Sequence, residues 1–153
     1  MLSKEERKER NTLFWNTLKK QMRSVPSCTG RSISWIKYPT DVKDVYLRME
    51  TDSKGARLCF EIQPKDDGIR SILWEQMTEL KVVMEEEVGE AEWYEFHREF
   101  SGRNVSRIQW ELKDKNFYKD EDFPAIIEFL KEKLIDFDSF YQEYKEILIS
   151  LAE

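Results

Sequence analysis

Apolar residues recur at the spacing of one helical face near the amino terminus. They are Phe14 or Trp15, Leu18, Met22 and Val25. The pattern predicts a helix over residues 3–24, whose first turns are purely polar and project into solvent. Ser3 and Glu6 have the spacing of a capping box, in which each side chain satisfies a free backbone amide at the other position. Residues 26–30, which begin with a proline and end with a glycine, form a loop that ends this helix.

Further along the chain, apolar and polar residues alternate with a period of two, which is typical of strands. The alternation predicts strands over residues 45–51 and 56–63, and a short strand that carries Trp35 is predicted before them, over residues 32–38. Residues 52–55 join the last two strands as a hairpin loop, with Gly55 available for a positive φ angle. The predicted pairs are Thr51 with Ala56, Glu50 with Arg57, Met49 with Leu58 and Leu47 with Phe60. Opposite charges at the outward-facing Glu50–Arg57 pair favour this register.

The rest of the chain predicts two more strands and three more helices. They are a helix over residues 67–88, strands over residues 92–98 and 106–112, and two helices on either side of a break at residues 136–139. Gly89 ends the first of these helices, and Asp138 caps the last. The order α-β-β-β-α-β-β-α-α predicts one α+β domain over residues 1–153, with a single mainly antiparallel sheet of about five strands covered by helices.

The final predicted helix has a broad apolar stripe. Its members are spaced alternately by four and three residues, which is the heptad seam of paired helices. They are Phe137, Tyr141, Tyr144, Leu148 and Leu151. Such a helix is either buried within its own domain or in contact with another chain. Tyr141, Tyr144, Leu148 and Leu151 are therefore the predicted partner-binding residues, for a protein partner or for a homodimer.

The composition excludes most catalytic sites that can be recognised from sequence. The chain has one histidine, two cysteines and five glycines. It has no P-loop, no zinc-site spacing and no Ser-His-Asp arrangement. Two distant cysteines give no disulfide framework, and we find neither a secretory signal nor a membrane-spanning segment. We expect a reduced, cytoplasmic protein with no bound cofactor.

Charge is distributed unevenly around a net value of −6. Residues 1–31 carry 8 basic and 3 acidic groups, whereas the remainder carries 17 basic and 28 acidic groups. The negative total argues against general nucleic-acid binding, which depends on neutralising phosphates. The first helix is an alternative nucleic-acid surface, but its basic residues do not fall on one face. These are Lys4, Arg7, Lys8, Arg10, Lys19, Lys20 and Arg23.

Several short segments, in their order and spacing, resemble a known family. They are Phe14-Trp15, residues 57–62, residues 84–89 with Glu92-Trp93, Arg107-Ile108, Asp122-Phe123-Pro124 and the aromatic last helix. Over residues 11–151 the chain is similar to the bacterial domain of unknown function family 4268, as a stand-alone member. The resemblance implies no activity and carries over no catalytic residues. In some longer proteins of this family the preceding segment looks like a restriction-type nuclease.

The order α-β-β-β-α-β is also the core order of PD-(D/E)xK nucleases. Such sites hold Mg²⁺ with an Asp near the second strand and a Glu-x-Lys on the third. Asp44 precedes the second predicted strand, and Glu61 and Gln63 share one face of the third, with Gln63 in the place of Lys. These three are the candidate catalytic residues, and Mg²⁺ is the expected cofactor only in this case. Alternating charge on an exposed strand needs no function, and turns beside Pro39 commonly recruit Asp.

Two functions therefore stay open. The absence of recognisable catalytic motifs and the broad apolar stripe of the last predicted helix favour a non-catalytic interaction module that binds a protein partner or itself. The alternative is a metal-dependent nuclease, or a decayed relative that binds DNA. The nuclease hypothesis expects the carboxylates of Asp44 and Glu61 within about 5 Å of each other, close enough to share one cation.

Overall fold

A computed structural model describes residues 2–98 and 103–153 of the chain. The helices are α1 (Lys4–Met22), α2 (Asp67–Glu79), α3 (Lys81–Val88) and α4 (Phe123–Ala152), and the strands are β1 (Val45–Asp52), β2 (Gly55–Ile62), β3 (Glu92–Arg98) and β4 (Asn104–Lys113). The strands form one antiparallel sheet in the order β1-β2-β4-β3, which confirms the α+β class. None of the described helices has the length and apolar character needed to cross a membrane.

The hairpin of β1 and β2 has the predicted register. Thr51 pairs with Ala56 and Glu50 with Arg57. Arg57 Nε donates to Glu50 at 3.0 Å, as expected for opposite charges that face each other across strands. Asp52 Oδ1 accepts the Gly55 amide at 3.1 Å and so closes the turn. Local alternation and turn chemistry are therefore sufficient to define this element.

The centre of the core is the contact between α4 and the apolar face of the sheet. Phe137 and Tyr141 of α4 lie against Phe60 of β2, with ring centroids 5.3 and 5.6 Å apart. Trp110 of β4 is 6.0 Å from Phe137. Each fully buried side chain of this size contributes roughly 2–3 kcal/mol to folding. The helices α1, α2 and α3 pack against α4 in turn, so α4 connects the sheet to the rest of the helical layer.

The predicted strand over residues 32–38 is wrong, and the described residues form a sheet of four strands instead of about five. Trp35 and Tyr38 are the buried side chains of this segment, and a spacing of three does not fit a strand. Trp35 Nε1 donates to the Val25 carbonyl at 2.9 Å, and the Tyr38 hydroxyl donates to Asp138 at 2.6 Å. The segment is thus held by side-chain hydrogen bonds and not by the backbone hydrogen bonds of a strand.

The predicted break at residues 136–139 is also wrong, because α4 runs unbroken from Phe123 to Ala152. Asp138, the predicted cap, lies inside α4 and is buried. Its carboxylate accepts hydrogen bonds from Ser27 Oγ at 2.9 Å and from the Cys28 amide at 2.8 Å. The single helix predicted over residues 67–88 is instead two helices, α2 and α3, which meet at Leu80.

Helix α1 begins as predicted, with the capping box of Ser3 and Glu6 in place. The buried residues of its apolar face are Phe14, Leu18 and Met22. Arg10 departs from the expectation of a solvent-projecting first segment. Its Nε donates to the Phe117 carbonyl at 2.6 Å, and its Nη1 pairs with Asp120 at 2.5 Å. These contacts attach the polar part of α1 to the connection that precedes α4.

Candidate binding surface on the open sheet face and strand β3

The sheet has a second face, which points away from α4 and is called the open face below. Its side chains form rows across the strands. The first row is Tyr46, Glu61, Arg107 and Tyr94, the second is Arg48, Cys59, Gln109 and Glu92, and the third is Glu50, Arg57 and Glu111. The two tyrosines stand on the outer strands, about 14 Å apart, with an acid and a base between them. The open face is therefore a mainly polar surface with aromatic residues at both edges.

Ion pairs connect the centre of the open face. Arg107 Nη2 lies 2.5 Å from Glu61 and 2.9 Å from Glu50. The Arg57 guanidinium also pairs with three carboxylates, those of Glu50 at 3.0 Å, Asp52 at 2.5 Å and Glu111 at 3.1 Å. Because two arginines share Glu50, the pairs form one continuous network. Networks with multidentate arginines are more rigid than isolated surface pairs.

Ion pairing within the network keeps Glu50 and Arg107 charged at neutral pH. Burial alone would raise the pKa of Glu50, but hydrogen bonds from Arg107 and Arg57 hold it below the usual value of 4.5. Burial would lower the pKa of Arg107, yet its hydrogen bond to Glu50 raises that pKa further above neutrality. Neither Glu50 nor Arg107 therefore exchanges a proton near neutral pH, as a general acid or base would have to.

The structure brings two of the three candidate catalytic residues together. Gln63 Nε2 donates to Glu61 Oε1 at 2.8 Å, in keeping with their predicted shared face. Asp44 meets Gln63 through its backbone, because the Asp44 carbonyl accepts the Gln63 amide at 2.8 Å. Glu61 is fully buried, and its second oxygen accepts Arg107 Nε at 2.9 Å. Both oxygens of the Glu61 carboxylate are thus engaged by protein donors.

A cation at this position would have to compete with the guanidinium of Arg107. Among the described residues, no group of three or more His, Cys, Asp or Glu side chains is arranged to hold a metal ion. Gln63 Oε1 is itself in contact with Arg103 Nη2 at 3.2 Å. The arrangement of Glu61 and Gln63 is that of a charge-compensated carboxylate within a hydrogen-bonded network.

The predicted partner-binding residues of the terminal helix divide into two groups. Tyr141 and Leu148 are buried, with exposed fractions of 0% and 3%, and the Tyr141 hydroxyl donates to the Thr40 carbonyl at 2.7 Å. Tyr144 is half-buried against the core, and Leu151 is 37% exposed. Tyr141 and Leu148 cannot reach another chain while α4 is packed, so most of the heptad seam serves the domain's own core.

Strand β3 has the surface features that sequence patterning missed. The register with β4 shifts between Tyr94 and His97, where Glu95 and Phe96 oppose Ser106 alone. A bulge of this kind bends an edge strand and redirects its side chains. Phe96 is 71% exposed and Tyr94 39%. An uninterrupted two-residue period gives no indication of a bulge, so the sequence offered no signal for this feature.

A cleft separates β3 from α2, and we call it the α2–β3 cleft. Two adjoining hollows form it, and they share Ser71 and Glu95. Its main lining residues are Asp67, Ser71, Trp74, Glu75 and Glu79 from α2 with Glu95 and Phe96 from β3. Trp74 also packs edge to face against Trp93 of β3, with ring centroids 5.6 Å apart, and this contact sets the separation of helix and strand.

Comparison with known proteins identifies a family but no described relative. Residues 11–145 match the model of the family described as Domain of unknown function (DUF4268). The match spans most of the 153 residues, so the chain belongs to this family. No curated protein and no solved structure matches the chain.

Proposed function

We propose that this member of the DUF4268 family is a non-catalytic interaction module, which binds a protein through strand β3 and the adjoining surface. The observation that carries the proposal is the exposure of Phe96, a large aromatic side chain that is 71% accessible on an edge strand. Tyr94, on the same strand, is 39% exposed. Exposed aromatic side chains are enriched in protein interfaces, where they supply contact area at low entropic cost.

The polar groups near β3 support a protein partner over a nucleic acid. Asp67, Glu75, Glu79 and Glu95 line the α2–β3 cleft, and their charge would repel phosphates. The only basic residue among the described lining residues, Arg70, is paired with Asp67. The arginines of the open face are likewise paired with carboxylates, which leaves little positive charge for a phosphate backbone.

Site-specific photo-crosslinking in cells that express the protein tests this proposal. A benzophenone amino acid replaces Phe96 in one variant and Val82 of α3 in the control. The two positions are matched, since Val82 is 70% exposed. We expect a discrete protein adduct from position 96, of another protein or of a second copy, and none from position 82. The same products from both positions, or none from either, would contradict a binding surface at β3.

Incubation with DNA separates this proposal from the nuclease hypothesis. Purified protein is mixed with plasmid and with single-stranded DNA in Mg²⁺ and in Mn²⁺, beside a Glu61→Gln variant. The interaction proposal expects no cleavage by either protein. Cleavage that is lost in Glu61→Gln would instead favour a metal-dependent nuclease, with Glu61 as a ligand.

A further inference from the structure

Strand β3 is the last strand on its side of the sheet, so one of its edges pairs with no described strand. On such an edge, every second residue directs its N–H and C=O groups outward. These groups are a template for a further strand. Natural edge strands commonly carry a bulge, which shortens the run of regular backbone and discourages indiscriminate pairing. The bulge at Glu95 and Phe96 has this effect, so an added strand needs favourable side-chain contacts as well.

The α2–β3 cleft supplies such contacts along the same edge. Helix α2 presents Asp67, Glu75 and Glu79 to the cleft, and β3 adds Glu95. All four residues are exposed in the structure. With Asp67 neutralised by Arg70, the carboxylates of Glu75, Glu79 and Glu95 keep a net negative charge over the cleft. A chain lying beside β3 would place alternate side chains between the strand and α2, next to these carboxylates.

We infer that β3 accepts an extended segment rich in lysine or arginine as a fifth strand of the sheet. Main-chain hydrogen bonds to the edge of β3 that pairs with no described strand provide the affinity, and the cleft carboxylates select basic side chains at every second position. The remaining side chains of the segment lie on the open face, beside Tyr94. This inference rests on the proposed function, because it gives the chemistry of the partner for the same surface.

The probe is a synthetic eight-residue peptide of alternating lysine and valine, capped at both ends and labelled with a fluorophore. Valine favours the extended conformation. Binding is followed by fluorescence anisotropy, and its position by ¹⁵N–¹H spectra of the protein. We expect saturable binding, shifts centred on the amides of β3, and slower amide exchange there. A peptide of alternating glutamate and valine is expected not to bind.

Charge-reversal variants test the selectivity. In the double variant Glu75→Lys with Glu79→Lys, the apparent Kd should rise about tenfold, since two attractive contacts become repulsive. The control is Glu86→Lys with Glu90→Lys, which makes the same change in net charge at exposed positions outside the cleft. Its Kd should stay within about twofold of the wild-type value. Equal weakening in both variants would show that only net charge matters, and would overturn the inference.

Backbone methylation tests the added strand itself. Two isomers of the lysine–valine peptide carry N-methyl groups on either the lysines or the valines. Because a strand directs alternate amides to opposite sides, one isomer should lose binding and the other should keep it. Unchanged binding of both isomers would overturn strand addition. If no peptide binds but position 96 still forms a specific adduct in cells, the inference fails while the interaction module stands.

Discussion

At the scale of single residues, Asp138 shows how a short-range interpretation can fail. Aspartate in a predicted helix break favours a cap, yet this side chain lies inside a continuous helix. Its carboxylate accepts hydrogen bonds from Ser27, from the Cys28 amide and from Tyr38, which precede it by 100 or more residues. Sequence spacing carries no information on partners so distant. The same holds for Glu61, whose burial beside Arg107 depends on the pairing of β2 with β4.

Replacing Asp138 by alanine should destabilise the domain. The change removes the acceptor for three buried or half-buried donors. Because a buried donor without a partner costs about 1 kcal/mol or more, we expect the free energy of unfolding to fall by about 3 kcal/mol. Urea unfolding followed by tryptophan fluorescence measures it. The matched control, Ser139→Ala, changes the exposed neighbour on the same helix and should stay within about 0.5 kcal/mol of wild type. Equal stability of the two variants would mean that Asp138 does not anchor the segment before β1.

At the scale of elements, patterns that depend on neighbouring residues were predictable and those that depend on packing were not. The register of β1 with β2 and the capping box of α1 follow from adjacent side chains, and both are confirmed. The strand over residues 32–38 and the break in α4 were predicted wrongly for one reason. Residues 32–38 are held by tertiary hydrogen bonds, and one of these bonds ends on Asp138 inside α4. The bulge of β3 could not be predicted either, since it requires knowledge of which residues oppose Ser106. For this reason the exposed side chains at the bulge of β3 could not be identified from the sequence.

The hairpin of β1 and β2 depends on Gly55. A Cβ atom added there would lie 1.9 Å from the Leu112 carbonyl oxygen, a backbone atom that cannot move aside cheaply. We expect Gly55→Ala to destabilise the domain by about 3 kcal/mol or more, because the paired β2 and β4 strands must separate. The contrasting change is Gly68→Ala in the first turn of α2, where the nearest atom is a side-chain oxygen 3.1 Å away. It should cost far less than Gly55→Ala, because only the Asp66 side chain has to shift and alanine favours helix. Similar losses in thermal unfolding of the two variants would contradict this account of the hairpin.

At the scale of the whole molecule, the two faces of the sheet have different roles. The apolar face is covered by α4 and provides the core. The open face is held by the network of Arg57 and Arg107 with their carboxylates, which ties β1, β2 and β4 together. A rigid sheet whose edge strand carries exposed aromatic residues is suited to binding a partner with little reorganisation. The fold class could be predicted from the order of helices and strands along the chain. The different roles of the two faces could not, because they depend on which strands are neighbours in the sheet.

The open-face network should make stability depend on pH in the acid range. The pKa of Glu50 is lower in the folded protein than its usual 4.5, so its contribution is complete at neutral pH and is lost as the pH falls through the folded value. The difference in urea midpoint between wild type and Glu50→Gln should therefore be largest at neutral pH and shrink below 4.5. Glu132→Gln, at an exposed position on α4, serves as the control. Its urea midpoint should differ little from that of the wild type at every pH. A Glu50→Gln difference that stays constant with pH would show that ionisation of Glu50 does not stabilise the fold.

Partner binding at β3 is best measured by the ratio of crosslinked adduct at position 96 to that at position 82. Both side chains are exposed to the same extent, so non-specific collisions should label them equally. If β3 binds a partner, a discrete adduct forms in clear excess at position 96. A ratio near one, or no adduct at position 96, would contradict the claim.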